Sequence, residues 1–493
     1  MDLRRYEDLP GPRGLPGFGN AFQIESGAFH LRLEQWCREF GPYFKFRVGR
    51  RRILAVGEHE AVAAVLRDRP EGFRRTTRFE EIWTELGLAP GVFGANGETW
   101  RRQRRMVMAG FDPGHVKSYF PALRGVAARL AARWQRCAAE ARAIDLQSDL
   151  MRYTVDTIAG LAFGAEVDTL GSDGDVIQQH LDKIFPALAR RIGAVVPLWR
   201  ILPSRADREL ARSIAEVNAA VGRFIAQARA RLAVDPARAA DPPNLLEAML
   251  VAADEPGSGM DDRQVAGNVL TMLLAGEDTT ANTIAWMIHL LWRHPQALAR
   301  AVAEVRSALP DPSAPTLEDI GRLEYIEACA HETMRLKPVA PLLPLETLRE
   351  TTIGDVRVPA GIVVISLMRR DSVSEEHVPQ AAEFLPERWL ADGAPAQAAS
   401  SAKRIAMPFG AGPRICPGRY LALLEMKVAM ATLLGRFEID SVDAPGGAEA
   451  RERLSFTMAP VGLTMRLRPR RLPPVAVPRA PAAASSRASA AAS

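Results

Sequence analysis

The 493 residues include 47% hydrophobic side chains, enough to bury a large core. Six of the 63 basic residues lie beyond Met465, where no acid follows, so the remaining 57 nearly balance the 58 acids. The body is therefore neutral, and its bulk charge argues against a nucleic-acid partner.

The start, MDLRRYEDLP, lacks the apolar stretch of a signal peptide, and no run of eighteen apolar residues follows anywhere. The expectation is a soluble, cytoplasmic, monomeric protein without a membrane anchor. LPGPRGLPGFGN (9–20) is too rich in Pro and Gly for a helix, and HLRLEQWCREF after it is amphipathic. YFKFRVG and RRILAVG alternate like the two strands of a hairpin. Helical patterns then dominate to about residue 335, interrupted by VDPARAADPP (234–243) and DEPGSG (254–259), both short enough for surface loops. Beyond residue 350, TTIGDVRV and GIVVISLM read as short strands, and a helix is predicted from about Tyr420 to Leu434. The order predicts a mainly α fold with small β-sheets, one domain over residues 1–465. Residues 466–493, rich in Arg, Pro, Ala and Ser, are predicted to be a disordered tail.

Within the helical region one segment is unusually long and apolar on nearly all faces. Asp261 is its predicted N-cap, Gln264 completes a capping box, Met260 and Val265 form a hydrophobic staple, and Pro295 ends it. A rod of this length, about 50 Å at 1.5 Å per residue, must run through the centre of the protein. AGEDTT (275–280) breaks the apolar pattern with two acids and two threonines after Ala275 and Gly276. Glycine inside a helix costs roughly 1 kcal/mol relative to alanine, which makes sense where something bulky approaches the backbone. The bland alternative is a kinked core helix with solvated acids. A buried group of small, acidic and hydroxyl side chains is also what proton delivery to a ligand needs.

HETMR (331–335) begins like the zinc-protease motif HExxH, but Arg335 stands where the second histidine should be. A guanidinium has no lone pair for a metal. What remains is Glu332 and Arg335, an i, i+3 acid–base pair on one helix face. The four cysteines, at 37, 137, 329 and 416, show no spacing that suggests a disulfide framework or zinc site. Cys37, Cys137 and Cys329 read as small buried hydrophobes.

Cys416 differs. PFGAGPRICPGRYLALLEMKVAMATLL places Phe409, Gly410, Gly412, Arg414, Cys416 and Gly418 in a turn-rich loop just ahead of an amphipathic helix. With Pro417 suited to an early helical position, the helix dipole and the charge of Arg414 favour thiolate over thiol. An anionic sulfur in an apolar pocket is the ligand a haem iron needs for oxygen activation.

FGAGPRICPG resembles the haem-binding signature FGxGxRxCxG of the cytochrome P450 superfamily. AGEDTT resembles that family's oxygen-binding segment, ETMR its ExxR pair, FLPERW (384–389) its downstream arginine loop and WRRQR (100–104) its WxxxR. All five occur in the family's order. The resemblance implies a P450 fold, with the long central helix over a buried haem b ligated by Cys416. It implies that Phe409, Gly410 and Gly418 shape the sulfur loop, and that Trp100, Arg104 and Arg414 hold the propionates. Asp278 and Thr279 would carry protons toward bound dioxygen, with Ala275 and Gly276 making room for the gas. Glu332, Arg335 and Arg388 would form a buried structural network. In many relatives a propionate anchor follows the KP step by seven or eight residues; here those places hold Leu345 and Glu346.

The implied activity is that of a haem-thiolate monooxygenase hydroxylating or epoxidising a small hydrophobic molecule such as a fatty acid, terpenoid or steroid. Electrons would come from NAD(P)H through a separate ferredoxin, flavodoxin or flavin reductase, docked at Lys403, Arg404, Arg419 and Lys427. Ile82, Trp83, Leu86, Phe93, Val339, Ala340, Leu342, Met458 and Val461 are the candidate substrate pocket. A haem-thiolate isomerase or dehydratase and a haem sensor are the alternatives.

Overall fold

The computed structural model describes residues 3–111, 113–165, 167–172, 177–390, 402–447 and 449–470. The predicted hairpin forms, Tyr43–Val48 pairing antiparallel with Arg51–Val56. It joins a five-stranded sheet in which Arg51–Val56 runs parallel to Val363–Leu367, followed by Leu342–Thr347 and the short strand Phe73–Arg74. In Leu342–Thr347, Leu345 is fully buried in the sheet's apolar cluster. Glu346 accepts hydrogen bonds from the amide and hydroxyl of Thr77, both at 2.9 Å. Both side chains are thus committed to the sheet and its flank.

The central helix spans Asp262–Arg293, with Asp261 as N-cap and both hydrogen bonds of the capping box to Gln264. Met260 and Val265 pack into one apolar cluster. That cluster takes the first part of the helix, through Leu274, against Leu146–Phe163, Ile177–Gly193 and Arg205–Val234. A second cluster begins at Ala281 and packs the later part against Glu324–Leu336 and Arg419–Arg436. AGEDTT falls at the seam between the two cores, where polar side chains displace the least apolar contact.

The last strand, Thr464–Pro469, pairs antiparallel with Phe437–Asp443. Arg466–Pro469 therefore belong to the folded unit, correcting a tail drawn from residue 466 on composition. Met465 and Leu467 are buried and Arg466 and Arg468 exposed, a period-two pattern that the Arg and Pro content obscured. Residues 471–493 lie outside the described residues. Among the described residues no helix is long and apolar enough to cross a membrane.

Candidate active site

HETMR lies on the helix Glu324–Leu336, with Glu332 and Arg335 fully buried. Arg335 donates to both Glu332 oxygens at 2.8 and 2.7 Å, and Arg388 donates to Oε1 at 3.3 Å. The Trp389 indole and the Leu385 amide also donate to the carboxylate. The remaining guanidinium hydrogens of Arg335 reach the carbonyls of Ser372, Ala381 and Glu383. One carboxylate serves two guanidiniums, and backbone carbonyls take the rest. Every charge in this network has a partner.

The Cys416 loop lies on the helix His59–Arg67, so closely that a Cβ at Gly412 would meet the Arg67 Cα at 2.7 Å. Gly412 also has φ +69°, a conformation other side chains rarely adopt. The Cys416 amide donates to the Phe409 carbonyl at 2.9 Å, clamping the loop, and Arg104 donates to the Ile415 carbonyl at 2.7 Å. The following helix, Arg419–Arg436, starts after Gly418, so Pro417 lies in the turn ahead of it rather than in its first turn. Burial pushes the Cys416 thiol up, against the Gly418 amide, Arg104 and Arg419. The positive groups that act on the sulfur are Arg104 and Arg419 rather than Arg414.

Arg414 has a different environment. Its guanidinium lies over the Trp100 ring, 4.6 Å from the centroid, and donates to the Ala95 carbonyl. Arg75 lies over the Phe93 ring at 3.8 Å and donates to the Phe93 carbonyl at 3.0 Å. Buried Arg69 leaves Nε and Nη2 without a partner, and Arg414 leaves Nε. Burial lowers the pKa values of Arg69, Arg75 and Arg414. Repulsion adds to this, from Arg75 on Arg69, from Arg414 on Arg75, and from Arg69 and Arg104 on Arg414. Guanidiniums remain protonated in proteins. Four cations therefore share one largely buried region, with Glu80 the acid that acts on Arg414 among the described residues. Arg69 and Arg75 were missed in the sequence because a lone RP or FRR carries no periodic signal.

On the central helix, Thr279 donates to the Ala275 carbonyl at 2.8 Å and Thr283 to the Thr279 carbonyl at 2.8 Å. Ala275 and Thr279 line a cavity of about 600 Å³. Gly276 faces elsewhere: a Cβ there would meet Ile158 at 3.3 Å, so its smallness admits the helix Leu146–Phe163 rather than a gas. Burial raises Asp278 to about 7, with repulsion from Asp182 adding and a hydrogen bond to Thr457 opposing. Glu277 is raised well above the usual range by burial, Asp182 and Asp278. Asp278 and Thr457 share a 3.2 Å hydrogen bond, and Asn282 donates to Thr457 at 3.4 Å. Thr457 lines the cavity and Asp278 does not, so this hydroxyl connects the acid to the cavity. Two positions beyond Asp278, Thr280 shares a hydrogen bond with Glu425 that ties the central helix to Arg419–Arg436, and burial still raises Glu425 to about 8.

Trp83, Phe93, Ala340 and Leu342 line the cavity. Ile82, Leu86, Val339, Met458 and Val461 do not. Along Thr77–Glu85 the cavity takes Phe79 and Trp83, one helical turn apart, while Ile82 turns into the apolar core. Phe456 and Thr457 supply the wall expected from Met458, whose side chain is buried in the other core. Phe185, stacked on Phe456 with centroids 4.3 Å apart, was not anticipated. Lys427 is buried and paired with Glu327 at 2.9 Å, which removes it from the docking patch; Lys403 and Arg404 are exposed.

Residues 9–465 match the family model described as cytochrome P450. The chain is 29% identical over 403 residues to a cyclooctat-9-en-7-ol 5-monooxygenase of Streptomyces melanosporofaciens, covering 82% of this chain and 83% of that protein. It is 28% identical over 436 residues to an Arabidopsis thaliana carotene epsilon-monooxygenase of the chloroplast, covering 84% and 78%. Among solved structures, a mutant cytochrome P450DA heme domain superposes with a TM-score of 0.79 at 25% identity, covering 94% of this chain and 98% of that one.

Proposed function

The chain belongs to the cytochrome P450 family and is a haem-thiolate monooxygenase, and from that premise we propose how its own residues divide the work. The observation that carries the reading is the set Arg69, Arg75, Arg104 and Arg414, the first buried and the others half-buried, all lowered by burial and three of them also by one another. Such a region fits a dianion, and the two propionates of haem b supply that charge. Trp100 and Phe93 form the aromatic floor under Arg414 and Arg75. With Leu345 and Glu346 committed elsewhere, Arg75 and Arg69 take the anchoring that relatives place after the KP step. Cys416 would ligate the iron, with Phe409, Gly410 and Gly418 holding its loop in shape.

When bound, thiolate-ligated haem supplies the activation of dioxygen that inserts one oxygen atom into a C–H bond or alkene. The side chains around the cavity handle protons and orientation. Asp278 holds a proton at neutral pH and exchanges it through Thr457 Oγ1, which faces the cavity. Thr279 has its own hydroxyl proton on the Ala275 carbonyl and turns its lone pairs to the same space. Phe79, Trp83, Phe93, Phe185 and Phe456 exclude water and orient an apolar substrate. The terpenoid names of the two relatives agree with a hydrocarbon-rich molecule of terpenoid, fatty-acid or steroid size.

Electrons come from a redox partner. Lys403, Arg404 and Arg419 at the cysteine loop suit an acidic ferredoxin or flavodoxin fed by NAD(P)H. The test is reconstitution with iron protoporphyrin IX, reduction and carbon monoxide. The expected result is the red-shifted Soret band of thiolate ligation, lost in Cys416→Ser. NAD(P)H consumption with a ferredoxin system should then yield an oxygenated product. A Soret band at the histidine-ligated position in the wild-type protein would overturn the assignment.

A further inference from the structure

Three side chains able to bind a metal, none of them used by the monooxygenase reading, converge away from the cavity. His59 opens the helix His59–Arg67, while Asp371 and His377 follow the strand Val363–Leu367. Asp371 is buried and the two histidines are half-buried, and none of the three lines the cavity. His59 Nδ1 lies 2.8 Å from Asp371 Oδ2, and His377 Nε2 lies 3.5 Å from the same oxygen. The imidazoles meet edge to face, with centroids 5.1 Å apart, and the three atoms lie within 4.8 Å of one another. Ligand atoms on a tetrahedral zinc ion stand roughly 3.4 Å apart. The two distances to Oδ2 bracket that spacing, and a small turn of the half-buried His377 ring closes the set.

Hydrogen bonding alone leaves this oxygen over-subscribed. The His59 amide also donates to Asp371 Oδ2 at 2.8 Å, so three nitrogens face an oxygen with two lone pairs. Arg370 donates to the other oxygen, Oδ1, which fixes the carboxylate and leaves Oδ2 to the rings. With the amide on one lone pair, both imidazoles compete for the second. A divalent cation between Nδ1, Nε2 and Oδ2 serves all three at once. Exposed Glu376, with Oε2 3.9 Å from His377 Nε2, offers a fourth ligand and offsets the charge of Arg370. The His377 amide donates to the Ser374 carbonyl at 3.0 Å, which holds the backbone of that ligand in place.

We propose that His59, Asp371, His377 and Glu376 bind a zinc ion at a structural site. Two imidazoles with carboxylates suit zinc, whereas magnesium and calcium take oxygen ligands. The ion joins two elements that frame the cysteine loop and the Glu332 network. The helix His59–Arg67 carries the surface on which Gly412 packs, and the Ser372 carbonyl, next to Asp371, accepts from Arg335. Its effect is therefore on the stability of this frame and not on the oxygen chemistry.

The test is equilibrium dialysis of chelator-treated, haem-loaded protein against zinc chloride, with bound zinc counted against haem by elemental analysis. One zinc per haem is expected. His59→Ala and His377→Ala should each weaken binding about 100-fold, and Glu376→Gln about tenfold. Zinc at about a hundredfold excess over its Kd should raise the unfolding midpoint of the wild type by about 2–3 °C. The midpoint of His377→Ala should not move. Asp371→Asn also takes an acceptor from the His59 amide, so His377→Ala, on a half-buried loop, is the deciding variant. Each variant should keep the ferrous carbon monoxide band, so loss of zinc with the band intact leaves the monooxygenase reading standing. No zinc retained, retention indifferent to His377→Ala, or magnesium bound as tightly as zinc would overturn the proposal.

Discussion

Two buried charge clusters lie within this fold and they are built on opposite plans. Around Glu332 the plan is closed: two guanidiniums share one carboxylate, and carbonyls and an indole take the remaining valences. Around Arg414 it is open: guanidiniums face one another, buried nitrogens lack partners, and burial disfavours the charges that remain. A closed network costs most when one member is removed, because the others are left uncompensated. An open one has an interaction still to make, so it marks where a ligand's charge belongs. The acids Asp182, Glu277 and Asp278 repeat the open plan with the opposite sign, and proton exchange is their outlet.

The largest contrast comes from the closed cluster. Glu332→Ala should cost about 3–5 kcal/mol and leave no haem-containing protein to purify, as judged by thermal unfolding and absorbance. A normally folded holoprotein from this variant would dissolve the distinction between the two clusters.

Asp278→Asn should spare folding and slow coupled turnover about 100-fold at neutral pH. Asp278 is raised from 3.8 to about 7, so the proton is present below pH 7 and lost above it. Product formed per NAD(P)H should therefore fall as pH rises through about 7 in the wild type, and this limb should vanish in the variant. The same shift favours folding fully below its ordinary value and is lost as pH passes 7. The asparagine variant should consequently gain on the wild type in unfolding midpoint at pH 8 but not at pH 4.

Arg75→Met is predicted to act with two signs. Haem transfer to an apo-globin acceptor should speed up about tenfold, because a charge-assisted contact is lost. The haem-free protein should unfold at the same temperature or higher, because a buried cation without a carboxylate is removed. A lowered midpoint for the haem-free variant would mean that Arg75 is structural. Thr457→Val should give the smallest effect, a loss of coupling of about threefold with binding of an apolar ligand unchanged. Full coupling in this variant would return proton delivery to Thr279 alone.

Much of the site lay open to sequence reading for a physical reason: Glu332 and Arg335, Asp278 and Thr279, and Phe409 to Gly418 each sit on a single element whose periodicity or turn chemistry fixes their spacing. Arg75, Arg69 and Thr457 escaped because their partners belong to other elements. Arg75 meets Arg414 and Thr457 meets Asp278 only after the chain has folded. The pocket reading failed in the same way. Ile82 and Trp83 are adjacent in sequence and both apolar, and only the packing of their helix decides which one faces the cavity.

By itself the sequence determined the capped central helix, the hairpin and the cysteine loop, because these depend on neighbours within a few residues. Tertiary structure alone decided which charges are compensated, where Gly276 spends its missing side chain, and which of Ile82 and Trp83 faces the cavity. Charge balance and burial depend on distances in space, and Arg75 acts on Arg69, and Arg414 on Arg75, only because folding brings their separate segments together.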